Sequence, residues 1–155
     1  MAVYFFDSSA IVKRYVNETG TGWVISITDP TAGNRIYVVR ITGVEVVSAI
    51  TRQARSGALS AADAAAVIAQ FRHDFAHQYR AVEISRALVG RAMDLAEIHA
   101  LRGYDAVQLA AALEVNAQRL ALDMTALTIV SADTALNAVA TAAGLTVDDP
   151  NVHPQ

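Results

Sequence analysis

A chain of 155 residues has the length of one domain, enough to bury roughly two-thirds of the surface its unfolded form exposes. At 54% hydrophobic and 17% charged residues the composition excludes disorder, and no apolar run approaches the ~20 residues that cross a bilayer. A net charge of −3 and the absence of cysteine exclude a strongly basic general nucleic-acid binder, disulfides and thiolate chemistry. The expectation is a soluble cytoplasmic protein with no membrane segment. All of its bases but Lys13 are arginines, the residue suited to bidentate phosphate contacts.

In chain order, VYFF (residues 3–6) reads as a first strand and residues 9–16 as a first helix. Gly20 and Gly22 mark a turn before WVISI, whose periodicity fits a short helix or a strand equally. DPTAGN is a loop, and IYVV (36–39) is a β-branched second strand. ITGVEVVSAITRQARSG follows as a helix closed by Gly57, and Ser60 N-caps an Ala-rich helix towards Phe75. Residues 79–84 read as a third strand, and Ser85 opens a helix to about His99. Gly103 starts the apolar helix YDAVQLAAALEVNAQ, and residues 127–131 form a fourth strand. A helix from Asp133 to Ala143 ends at Gly144, and LTV is a possible fifth strand. The alternation predicts an α/β fold, a parallel sheet of four to five short strands flanked by helices. Residues 1–148 form the single domain, and the polar tail 149–155 is expected to be flexible.

Four acids sit in apolar surroundings. Asp7 ends the first strand, Glu45 lies early in a helix among valines, Asp105 is in the first turn of the most apolar helix, and Asp133 follows the fourth strand. Each has a plain explanation: Asp7 as an N-cap, Asp105 and Asp133 as complements to a helix dipole, Glu45 as a solvated position. Jointly they say more. In a parallel sheet, strand ends and helix starts converge on one edge, where ligands bind. Four carboxylates in one crevice cannot all stay ionised without a cation. An all-oxygen set suits Mg²⁺ or Mn²⁺, ions that activate water and clamp phosphoryl oxygens.

FFDSSAIVKRY, TGVEVVSAI, LRGYDAVQLAAAL and TIVSAD, in this order and over nearly the whole chain, resemble the PIN-domain ribonucleases and most of all the VapC-type toxins of bacterial toxin–antitoxin pairs. Each motif occurs widely by itself; the ordered set is specific. The resemblance implies a PIN-like fold and a Mg²⁺- or Mn²⁺-dependent endoribonuclease. It makes Asp7, Glu45, Asp105 and Asp133 the catalytic, metal-holding quartet and Ser9 and Ser131 supporting hydrogen-bonders. It also implies RNA as substrate, a cognate antitoxin and a homodimer. Gln108 departs from the pattern, standing where many relatives carry His; metal binding is not expected to depend on it.

Lys13, Arg14 and Arg102 are candidates for contact with substrate phosphate. His73 and His77 are four apart on a helix, but Asp74 occupies the position where a zinc-protease motif needs Glu, and no third ligand is evident; both are read as surface. GTGW lacks the spacing and Lys of a phosphate loop. The rival readings are a phosphatase or phosphotransferase using Asp7 as nucleophile, a receiver-type phosphoacceptor, and an inactive PIN-like binding module. The first wants an Asp where Ser9 stands, the second a late Lys that the chain lacks, and the third should have lost acids that are all present. A mean hydropathy of +0.31, with SAADAAAVIAQF and ALVGRAMDLAEI richer in apolar residues than one buried stripe needs, predicts a surface covered by a partner.

Overall fold

The computed structural model describes residues 1–154. Five strands, β1 (Val3–Phe6), β2 (Arg35–Val39), β3 (Arg80–Val82), β4 (Thr128–Val130) and β5 (Thr146–Asp148), form one sheet in the order β3-β2-β1-β4-β5. Every pairing is parallel, with Tyr4 opposite Ile36 on one side and Thr128 on the other. The chain steps outward from β1 to β3, then returns to the far side of β1 to lay down β4 and β5. The strand order therefore reverses between β1 and β4, which opens a crevice beyond their carboxyl ends.

Side chains alternate across each strand, so Phe5 and Phe6 enter different cores. Phe5 packs with Val39, Leu109, Ile129 and Leu136, beneath α5 (Arg86–His99), α6 (Gly103–Ala121) and α7 (Thr134–Ala142). Ala110, Ala111 and Ala112 are fully buried on α6, and their small side chains let that helix lie close against the sheet and α5. Phe6 faces Ile11, Val24, Val38, Ile50 and Phe71, from α1 (Ser8–Ile11), α2 (Thr21–Thr28), α3 (Thr42–Arg55) and α4 (Ala61–His77).

The parallel α/β sheet with helices on both faces is the fold expected from the strand–helix alternation. Several boundaries moved. The first helix, expected over 9–16, is one α turn followed by a 3-10 turn, Val12–Arg14. It tightens where Arg14 and Tyr15 are drawn into a polar cluster with Asp74 and Tyr79. The same cluster takes Tyr79 out of the third strand, which is only three residues long. WVISI is helical, within α2, and starts after Gly20 in a left-handed conformation at φ 87°.

The segment after β5 is not a frayed tail in residues 149–154. Asp149 caps a 3-10 turn, Pro150–Val152, and Pro150 is buried against Gly20. His153 stacks on Trp23 at 4.1 Å and contacts the Asp148 carboxylate at 2.8 Å. Polar composition suggested fraying; the segment carries a capped 3-10 turn and an aromatic stack.

Candidate active site

Asp7 lies at the β1–α1 junction in extended conformation, 3% exposed, with its carboxylate capping the first turn. Three groups converge on it. Ser9 Oγ donates to Oδ1 at 2.7 Å, Ala10 N–H donates to the same oxygen at 3.0 Å, and Ser131 Oγ donates to Oδ2 at 2.7 Å. Both serines also accept a backbone N–H from beyond β4, Ser9 from Ala132 and Ser131 from Asp133. Each hydroxyl thus has its single proton committed to Asp7, and together they stitch the ends of β1 and β4 into one rim. Burial nevertheless dominates and pushes the Asp7 carboxyl up to about 7, with the charge of Asp105 adding a little.

Asp133 is the N-cap of α7, accepting Leu136 N–H at 3.0 Å, so the cap reading holds for it as well as its place on the rim. Asp105 sits in the first turn of α6 and is half-buried. Its pKa is raised first by burial, then by the charges of Asp133 and Glu45, against the opposing charge of Arg102. Glu45, in the first turn of α3, accepts the Ser8 hydroxyl at 2.7 Å. All four acids, with Ser8, Ser9, Tyr104 and Gln108, line one crevice of about 120 Å³.

The donor set is all oxygen, and neighbouring carboxylates push the pKa of Asp105, and slightly that of Asp7, upwards, which is the electrostatic signature of a site short of positive charge. In chemistry it fits a hard divalent cation. The acids are not a closed cage: among the described residues no three acidic or histidine side chains stand together as a ready-made ion site. The nucleophile role is poorly served, because both Asp7 oxygens are already engaged and the group is almost fully buried.

The basic candidates separate. Arg102 stands at the start of α6 within electrostatic reach of Asp105. Lys13 is instead buried and paired with Glu18 at 3.0 Å. Arg14 donates to Thr28 O, Gln78 and Tyr79 and lies 3.7 Å from Asp74. These two are committed elsewhere and do not line the crevice. Glu18 is only five residues from Lys13, whereas Asp74 is remote from Arg14 and gave no warning of that pairing. His73 and His77 are exposed and stacked on each other at 4.5 Å, as surface residues.

Four residues of the site were not singled out in the sequence as part of it: Ser8, Thr42, Gln108 and Tyr104. Ser8 was detectable in principle. Neighbours in a helical turn point about 100° apart, so the two serines of DSS serve different acids, Ser9 holding Asp7 and Ser8 holding Glu45. Tyr104, 54% exposed, forms a shared wall between the crevice and a larger cavity of about 430 Å³ that also contains Arg52, Ser48 and Val44. Val44 in turn borders an apolar groove of about 700 Å³ between α3 and α4, lined by Val47, Phe75 and Ile84, with Arg40, Arg72 and Glu83 among its polar residues. The three hollows are neighbours that share lining residues, Val44 between the groove and the larger cavity and Tyr104 and Glu45 between that cavity and the crevice.

No family model matches the chain. In solved structures the same fold recurs at low identity. VapBC2 from Rickettsia felis bound to a DNA fragment from its promoter matches with a TM-score of 0.61 at 11% identity, covering 95% of this chain and 98% of that one. PAE2754 from Pyrobaculum aerophilum matches at 0.63 and 18%, covering 98% and 92%, and FitAB bound to an IR36 DNA fragment at 0.64 and 15%, covering 95% and 94%. Sequence similarity is stronger to two curated proteins of Mycobacterium tuberculosis. These are ribonuclease VapC45 of strain CDC 1551 / Oshkosh and ribonuclease VapC49 of strain ATCC 25618 / H37Rv. Each is 34% identical over 116 residues, spanning 75% of this chain and 78% of the relative. With that identity over three-quarters of its length, and with the PIN-like sheet order carrying an acidic crevice at its switch point, the chain belongs to the VapC-type PIN-domain ribonucleases.

Proposed function

We propose that this chain is a Mg²⁺- or Mn²⁺-dependent endoribonuclease acting as the toxin member of a toxin–antitoxin pair. The observation that supports the reading best is the gathering of Asp7, Glu45, Asp105 and Asp133 on one small crevice where their charges oppose one another. Asp7, Asp105 and Asp133 would hold the ion, with Glu45 binding directly or through water. When bound, the ion supplies an activated water and neutralises charge developing on the phosphoryl oxygens. The remaining work falls to the chain itself. Ser9 and Ser131 keep Asp7 oriented, Arg102 draws phosphate to the crevice mouth, and the adjoining cavity with Tyr104 and Arg52 receives a neighbouring nucleotide.

The adjacency of these hollows supports an inhibitory partner. A segment lying apolar side down in the groove of Val47, Phe75 and Ile84 reaches the acids by way of Val44 without leaving the surface. We assign that groove to a cognate antitoxin. For self-association we assign the exposed side of α5, where Val89 and Met93 are one turn apart and outward. Among the described residues no helix is long and apolar enough to cross a membrane.

The test is cleavage of a labelled single-stranded RNA by purified protein with Mg²⁺, with Mn²⁺ and in excess EDTA, beside Asp105→Asn. Cleavage should require the ion and vanish in the variant, whose side chain is nearly isosteric. Full cleavage in EDTA, or by Asp105→Asn, would overturn the reading.

A further inference from the structure

We propose that Gln108 is a positioning residue that fixes Glu45 through Ser8; this deepens, and rests on, the metal-dependent reading above. Gln108 is 2% exposed on α6 and does not touch any of the four acids by hydrogen bond. Its Nε2 lies 3.1 Å from Ser8 Oγ and 3.1 Å from Thr42 Oγ1, and Ser8 Oγ lies 2.7 Å from Glu45 Oε1.

The direction of each bond follows from what the groups can do. A carboxylate only accepts, so the one proton of Ser8 is on Glu45. Ser8 Oγ must then accept from Gln108, which requires the NH₂ side of the amide to face it. An amide turned the other way would set its carbonyl against Ser8 Oγ, and two acceptors would compete for one proton. The observed orientation has a cost of its own, because Gln108 Oε1 is buried with no hydrogen-bond partner. A buried carbonyl left unpaired is tolerated here while both amide protons are spent on hydroxyls. Ser8 Oγ is also 3.3 Å from Thr42 Oγ1, a longer contact that Gln108 makes unnecessary by donating to both.

The relay joins three elements. Gln108 belongs to α6, which carries Asp105 one turn earlier; Ser8 belongs to α1, beside Asp7; Thr42 and Glu45 belong to α3. One amide therefore sets the spacing between Glu45 and the acids on the other two elements. Ser8 is one step removed from Glu45, and partners in that position typically govern metal affinity by ten- to a hundred-fold; Gln108 acts on Glu45 by holding Ser8.

The experiment compares wild type with Gln108→Met, Gln108→His, Ser8→Ala and the double variant Ser8→Ala/Gln108→Met. Met fills a similar volume without donors, and His restores one. Mn²⁺ affinity is read by calorimetry, cleavage of single-stranded RNA at saturating Mn²⁺, and melting in EDTA to confirm folding. Gln108→Met should bind Mn²⁺ about tenfold or more weakly while still melting in one cooperative transition, and Gln108→His should recover most of the loss. Because the effect passes through Ser8, the double variant should be no worse than Ser8→Ala alone. Wild-type affinity in Gln108→Met, or additive losses in the double variant, would overturn the relay while leaving the nuclease reading intact. If Gln108→Met does not fold, wild-type Mn²⁺ affinity in Ser8→Ala overturns it instead. A wild-type protein that binds no Mn²⁺ overturns the underlying reading and the relay with it.

Discussion

Replacing Asp7 by Asn should make the ion-free protein more stable in mild alkali and less stable in acid. The carboxyl is buried and its pKa is raised from 3.8 to about 7 in the folded protein. Folded molecules therefore keep this proton over a range of pH in which unfolded chains have lost it. The stability it contributes is complete below about pH 4 and is lost as pH rises through about 7. Across that window wild type should lose up to about 1.4 kcal/mol per pH unit from this group, or about 4 kcal/mol in all. Asn has no proton to lose and escapes this slope.

Asn has its own cost. Its carbonyl can replace Oδ1, accepting from Ser9 and Ala10, but its NH₂ then faces Ser131 Oγ, which already accepts Asp133 N–H. Ser131 can accept twice, yet its proton is left without an acceptor; the protonated carboxyl of wild type makes the same demand near pH 4, so the cost particular to Asn is its second N–H, about 1–3 kcal/mol. The variant should thus be less stable than wild type by that amount near pH 4 and more stable by about 1–3 kcal/mol at pH 8. Urea unfolding followed by far-UV circular dichroism in EDTA, from pH 4 to pH 8, reads both ends. Subtracting the two curves removes the titrating groups that do not interact with Asp7 and leaves Asp7 with its small coupling to Asp105. Parallel curves for the two proteins, or a wild-type advantage that grows with pH, would refute the reasoning. Saturating Mn²⁺ should reverse the order at pH 8, since an ion bound only to the folded wild type stabilises it by RT ln(1 + [L]/Kd).

Three further outcomes follow from the geometry. In a non-cleaving Asp105→Asn background, Tyr104→Ala should weaken binding of single-stranded RNA by about 1–3 kcal/mol while Tyr104→Phe does not, by fluorescence anisotropy; equal binding in all three would remove Tyr104 from the RNA path. Gly20→Ala should lose far more stability than Gly33→Ala. Both glycines are left-handed, worth about 1–2 kcal/mol, but only at Gly20 would the new Cβ lie 2.2 Å from Pro150 O, whereas nothing stands within 4 Å at Gly33. Equal urea midpoints would show that the C-terminal turn is not seated there. Light scattering at micromolar concentration should give a mass near twice 16.5 kDa for wild type and the monomer mass for Met93→Glu; a monomeric wild type would sink the dimer.

The fold was legible because it depends on alternation, which survives local error. Four strands were placed to within a few residues although β3 and β4 turned out shorter, since short β-branched runs between helices admit one class of sheet. The four acids were legible for a related reason: a charge at the end of an apolar run is visible without knowing what it faces. What could not be read were the partners of Lys13 and Arg14. Both follow Asp7 closely and looked available for phosphate, but in a turn this tight the direction of a side chain changes sharply from one residue to the next. Arg14 turns to Tyr79 and Gln78, some 65 residues away, and Lys13 is held by Glu18. Nor did composition reveal that His153 stacks on Trp23, a residue 130 positions earlier.

Gln108 shows the limit most clearly. Its identity was noted only as a departure from a pattern, yet it is buried, where an amide has to find partners for all its polar atoms or bear the loss. Neither Ser8 nor Thr42 is near it in sequence, at separations of 100 and 66 residues. Residues that touch a ligand betray themselves by being charged in apolar surroundings; residues that aim them are ordinary polar side chains in ordinary helices. Their function lies in the directions of their hydrogen bonds, and a direction exists only once three elements from distant parts of the chain have been brought to the same rim.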